Sequence, residues 1–116
     1  MATTATRYVN IVYDGDVDGT QRINAASNAD SPAQVEYIDL DSGANTINIP
    51  EGGTPVSVTI LPPSGNSTSI TFKGVTGDTG VRIHNTDPTT IAIHSSVTSF
   101  CLTAGGAITN LRLYWT

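Results

Sequence analysis

From Pro55 to Trp115 apolar residues recur at every second position. Val56, Val58 and Ile60 alternate with Ser57 and Thr59; Ile70 and Phe72 alternate with Thr71 and Lys73; Val81 and Ile83 alternate with Arg82 and His84. Ile91 and Ile93, Phe100 and Leu102, then Leu111, Leu113 and Trp115 continue the rule. A period of two places these side chains on one face of an extended strand, and Gly, Pro, Asn, Asp or Ser interrupts the pattern at intervals of roughly ten residues. No helical periodicity lasts beyond one or two turns. The spacing therefore predicts an all-β domain: an antiparallel β-sandwich, jelly-roll-like, of about eight to ten short strands.

Strands are expected at residues 7–13, around 21–25, and at 34–40, 45–49, 55–61, 68–73, 81–84, 89–94, 100–103 and 107–115. The second half reads as successive hairpins, because each connection carries residues suited to turns. The expected interior is Val56, Val58, Ile60, Ile70, Phe72, Ile83, Ile91, Ile93, Phe100, Leu102, Leu111 and Leu113. Residues 1–7 are expected to form an N-terminal arm and 8–116 one domain.

The chain has 116 residues, enough for a single domain with a small core. Charged residues make up only 13%, and Ser and Thr take the surface positions. Such a surface loses little side-chain entropy on docking. The formal net charge is −5. The five bases, Arg7, Arg22, Lys73, Arg82 and Arg112, are scattered, so a nucleic-acid groove is not expected. Acidic residues concentrate between Asp14 and Glu51, where Arg22 is the sole base. No secretory signal and no membrane-length apolar run is read, which leads to an expectation of synthesis in a reducing cytosol without membrane association. Cys101 is the only cysteine and is expected to be a buried structural thiol.

Three groups of residues invite a functional reading. Asp14-Gly15-Asp16-Val17-Asp18-Gly19 matches the opening of an EF-hand calcium loop, with Asp14, Asp16 and Asp18 as ligands. The twelfth position is Ala25 rather than the bidentate Glu, and an acidic turn accounts for the same residues. His84 and His94 follow the last apolar residues of neighbouring strands, at opposite ends of an expected hairpin, a poor arrangement for a shared metal. No nucleophile elbow and no phosphate-cradling loop is found, so neither an enzyme nor a resident cofactor is expected. Tyr8, Tyr13, Tyr37, Tyr114 and Trp115 are amphipathic rings suited to a core rim, a subunit contact or a sugar platform. The expected interface residues are Arg7, Tyr8, Tyr13, Tyr114 and Trp115.

The stretch from Pro55 onward, with ITFKGVTGDTG after a Pro/Gly turn and LRLYW in its final strand, resembles the small β-sandwich proteins of tailed-bacteriophage virions. That resemblance implies a structural protein of the virion, assembled in the host cytoplasm. The implied role is a head decoration (cement) protein that binds the major capsid protein as a homotrimer and stabilises the particle, or a fibre module. A carbohydrate-binding, receptor-recognising module is the alternative. The family supplies no functional residues to transfer, and the acidic first half has no counterpart in it.

Overall fold

The structure is a computed structural model. It describes the backbone of residues 5–12, 22–29, 34–50 and 57–116, and side chains at 35–50 and 57–116. The described residues form ten strands and no helix. These are β1 (Ala5–Val12), β2 (Arg22–Ala29), β3 (Gln34–Leu40), β4 (Gly43–Asn48), β5 (Ser57–Leu61), β6 (Ile70–Lys73), β7 (Val81–Ile83), β8 (Thr89–Ala92), β9 (Ser99–Ala104) and β10 (Ile108–Trp115). β1 begins two residues ahead of the expected Arg7. β1 and β2 pair antiparallel as a two-stranded sheet, with Ala5 opposite Ala29 and Val12 opposite Arg22.

The remaining strands form two four-stranded antiparallel sheets packed as a sandwich, ordered β3-β10-β5-β8 and β4-β9-β6-β7. β3 pairs with β10, β4 with β9, β5 with β8 and β6 with β7. The pairings are nested: the chain from β3 to β10 is one long antiparallel ribbon folded over on itself. β10–β5 and β6–β9 pairings join its turns. This is the wiring of a jelly roll. Within the sandwich, from β3 to β10, only β6–β7 is a local hairpin within one sheet. The other expected hairpins are crossings from one sheet to the other, because a ribbon rolled into two layers changes layer at nearly every corner.

The period-two rule explains the core. Val58, Ile60, Ile70, Leu102, Leu111 and Leu113 are fully buried, and Phe100 and Ile83 nearly so. Phe72, Ile91 and Ile93 pack on this core while partly exposed, and Val56 lies outside the described residues. Leu40, Ile47, Ala104, Ile108 and Trp115 complete the interior. Each fully buried aliphatic contributes about 1.5–3 kcal/mol of transfer free energy. Cys101 is buried as expected, but it alternates with Phe100 and Leu102 and so occupies the other face of β9. There it lies between Thr46 and Lys73 of the flanking strands, with its Sγ 3.8 Å from Thr103 Oγ1.

One irregularity keeps the alternation in phase. Ile108 and Leu111 are three positions apart, yet both are buried. A bulge reconciles them: Ile108 is opposite Leu40 while Leu111 is opposite Ile38. Asn110 takes a φ of 58° there, which Asn tolerates better than most residues. Its backbone N–H donates to Asp39 Oδ1 at 3.0 Å. At the β3–β4 corner, Asn45 Oδ1 accepts from Asp41 N at 2.9 Å, and Asn45 Nδ2 faces the carbonyls of Asp41, Gly43 and Leu102 at 3.0–3.1 Å. A single amide thus ties the corner to β9.

Gly80, which leads into β7, has φ 76°, and a Cβ there would lie 2.5 Å from Phe72 O and from Lys73 Cγ. Gly80→Ala is expected to destabilise the fold by about 2 kcal/mol or more. Gly77→Ala, which meets nothing within 4 Å, is the matched control and should change little. Urea unfolding of the two variants measures the difference.

Candidate binding surface

The edge strand β3 and its neighbour β10 in the first sheet present opposite chemistry on their two faces. Along β10, Leu111, Leu113 and Trp115 point inward, while Arg112 is exposed and Tyr114 half-buried on the outer side. Along β3, Ile38 and Leu40 face the core, and Val35 (48% exposed) and Tyr37 (63% exposed) face outward. Register places Tyr37, Arg112 and Leu61 in one transverse row, and Val35, Tyr114, Thr59 and Thr90 in the next.

Arg112 is the centre of this face. Its guanidinium carbon lies 5.6 Å from the Tyr37 ring centroid, and its Nη1 donates to the Tyr114 hydroxyl at 3.5 Å. The hydrogen bond to Tyr114, followed by electrostatic interaction with Tyr114 and Tyr37, raises its pKa further above the ordinary arginine value. The guanidinium is therefore a fixed positive charge held between two tyrosines. On the β5–β8 side the face is uncharged, with Thr59 Oγ1 and Thr90 Oγ1 2.7 Å apart.

A shallow cleft of about 500 Å³ opens beside this face, lined by Leu61, Pro62, Pro63, Ser64, Thr86 and Arg112. A second, of about 700 Å³, lies beyond Thr86 and includes Asn66, Arg82, His84 and Asn85. The first holds no His, Asp or Glu; the second sets the His84 ring beside the hydroxyls of Ser67 and Thr86, with Thr86 Oγ1 3.4 Å from His84 Nδ1. Among the described residues no group of three or more His, Cys, Asp or Glu side chains could hold a metal ion. The outer face around Arg112 can stack, hydrogen-bond and bury apolar surface.

The expected interface residues separate. Tyr114 lies on the outer face. Trp115 does not: it is 1% exposed, packs against Phe100 at a centroid distance of 6.2 Å, and donates its indole N–H to Glu36 Oε1 at 3.1 Å. Grouping Tyr114 with Trp115 conflicts with the period of two, which puts neighbours on opposite faces. Arg7 and Tyr8 lie in β1 opposite Ser27 and Ala26, and their side chains fall outside the described ones. Tyr13 and the calcium candidates Asp14, Asp16 and Asp18 lie outside the described residues. His84 and His94 belong to corners that join strands of different sheets, not to the two ends of one hairpin. Sequence reasoning names Tyr37 among the amphipathic rings but not among the interface residues, and it passes over Val35 and Arg112 as members of this surface. Arg112 and Tyr114 share a face by the period of two alone. QVEYIDL, however, has apolar residues on both faces, so its exposed side needed the fold.

No family model matches the chain, and no curated protein and no solved structure shows significant similarity to it.

Trp115→Ala should cost about 3–5 kcal/mol, as loss of a core aromatic does. Tyr37→Ala should shift the thermal midpoint by less than about 3 °C, as an exposed substitution does. Parallel thermal melts distinguish the core role from the surface role.

Proposed function

We propose that this chain is a non-enzymatic structural protein of a virion, a decoration or cement protein. In this reading it binds the major capsid protein through the outer face of β3, β10, β5 and β8 and stabilises the particle. The observation that carries the reading is the Tyr37–Arg112–Tyr114 arrangement on a sheet face whose β5–β8 side carries no charge. Protein interfaces are enriched in Tyr and Arg and depleted in Lys, Glu and Asp at their centres. A guanidinium already stacked on one ring and bonded to another loses less freedom on docking than a free one. The jelly-roll order agrees with this reading, since viral capsid domains use it, but lectin domains use it as well. The resemblance of the Pro55–Thr116 stretch to tailed-bacteriophage sandwich proteins favours the virion. A homotrimer seated on the capsid, assembled in the host cytoplasm, is part of the same proposal.

A second reading, a glycan-binding module, has one specific observation in its favour. The exposed Tyr37 ring is stacked on Arg112, which lines the 500 Å³ cleft, and a sugar could stack on that ring with Ser64 and Thr86 as hydrogen-bonding partners.

The double variant Tyr37→Ala/Arg112→Glu should reduce co-sedimentation with undecorated particles at least tenfold while the protein stays folded, since hot-spot residues of this kind each cost more than a kcal/mol on truncation. Wild-type retention by the variant would overturn the proposed docking face. Binding of the wild type to a glycan array, abolished in the same variant and with no affinity for particles, would favour the second reading.

A further inference from the structure

Two corners at either end of β8 are closed by the same unusual device. In Ile83-His84-Asn85-Thr86 the His84 Nδ1 accepts the backbone N–H of Thr86 at 3.1 Å and that of Asp87 at 2.8 Å. In Ile93-His94-Ser95-Ser96 the His94 Nδ1 accepts the backbone N–H of Ser96 at 3.1 Å. The side-chain hydroxyls lie close to the same atoms, Thr86 Oγ1 at 3.4 Å and Ser96 Oγ at 2.9 Å. The sequence pattern Ile-His-x-(Thr/Ser) thus repeats at the end of β7 and at the end of β8. A ring nitrogen replaces the Asn or Asp oxygen that usually closes such a turn.

A backbone N–H can only donate. The ring nitrogen it meets must carry a lone pair, which in a neutral imidazole places the proton on Nε2. We infer that the two corners are latched by neutral histidine and open on acidification, with different outcomes at the two sites. A proton from solvent that binds Nδ1 turns the acceptor into a donor, and it then opposes the amide hydrogens of Thr86, Asp87 and Ser96. The bonds to Thr86, Asp87 and Ser96 therefore require an unprotonated Nδ1.

The surroundings set the difference. His84 has a carboxylate at hand: Asp87 Oδ2 lies 3.9 Å from Nδ1. Arg82, on the adjoining strand, is the nearby cation, and its Nη2 donates to Asn85 Oδ1 at 3.4 Å. Asn66 and Ser67, from the β5–β6 connection, share the cleft with His84 and are uncharged. Protonated His84 can exchange its two backbone partners for Asp87, so this corner re-forms around an ion pair. Among the described residues no charged side chain bonds to His94, so protonation there removes the latch without replacement. Because Thr86 lines both clefts and His84 lines the second, acidification reshapes the rim of the surface beside Arg112. It also adds a positive charge next to Arg82.

The test is a pH titration of the full chain by two-dimensional NMR, following ring nitrogens and backbone amides together. Above the imidazole range both rings should show a bare Nδ1 and a protonated Nε2. On lowering the pH, amide-exchange protection should fall roughly fivefold to tenfold at Ser96, the equivalent of one hydrogen bond. Thr86 and Asp87 should shift to a new protected position that moves with the Asp87 carboxyl signal. His84→Asn and His94→Asn keep an acceptor that does not titrate and should abolish the pH response at their own corner only. Asp87→Asn should make the first corner behave like the second. A proton found on Nδ1 at neutral pH, or amides of Thr86, Asp87 and Ser96 that stay unchanged while the rings titrate, would overturn the inference.

Discussion

The fold depends on β10 being held between β3 and β5. This last strand supplies Leu111, Leu113 and Trp115 to the core, each essentially without solvent contact. It also hydrogen-bonds to a neighbour on either side. The ladder continues to the end of the chain, where Thr116 and Ser57 exchange backbone hydrogen bonds at 3.0 Å. A strand so placed couples the outermost turn of the rolled ribbon to its interior. The nested pairing of β3 with β10 through β6 with β7 closes only when β10 reaches β5. Most contacts in this topology join distant parts of the chain, so their loop-closure cost precedes their reward.

The same strand creates the binding surface. Period two forces Arg112 and Tyr114 out wherever Leu111, Leu113 and Trp115 go in. β3 then contributes Tyr37 and Val35 by register. Core and surface are consequently one decision: a shift of β10 by one residue would bury the guanidinium and expose the leucines. The bulge at Thr109 and Asn110 is the one place where the strand departs from alternation, and it does so to bring Ile108 back to the core. Corners are secured by local polar groups: Asn45 at β3–β4, Asn66 facing Asn85 O at 2.8 Å, and the imidazoles of His84 and His94. A sandwich with few charged side chains thus closes its layer crossings with amides and rings.

Much of this was legible beforehand. Val58, Ile60, Ile70, Leu102, Leu111 and Leu113 follow from alternation, as do the sandwich class and most strand positions. Trp115 reads as a contact residue because an amphipathic ring suits either role; its burial depends on β3 lying alongside with Glu36 to receive the indole N–H. Of the successive hairpins read from the turn residues, β6–β7 is one and the others are layer crossings, since Gly, Pro, Asn and Ser permit a reversal without specifying which strand receives it. His84 and His94 carried no signal of their function as latches beyond the repeated Ile-His-x-(Thr/Ser).

The sequence by itself determined which side chains alternate, where the chain can turn, and that its polar surface is built of Ser and Thr more than of charge. These are local properties, set by the extended backbone and by turn sterics. Only the tertiary structure decided which strands pair, which face of β3 meets solvent, and that Tyr37, Arg112 and Tyr114 come together. Those outcomes depend on register between strands as far apart as residues 37 and 112, and no local preference along the chain encodes a distance of that kind.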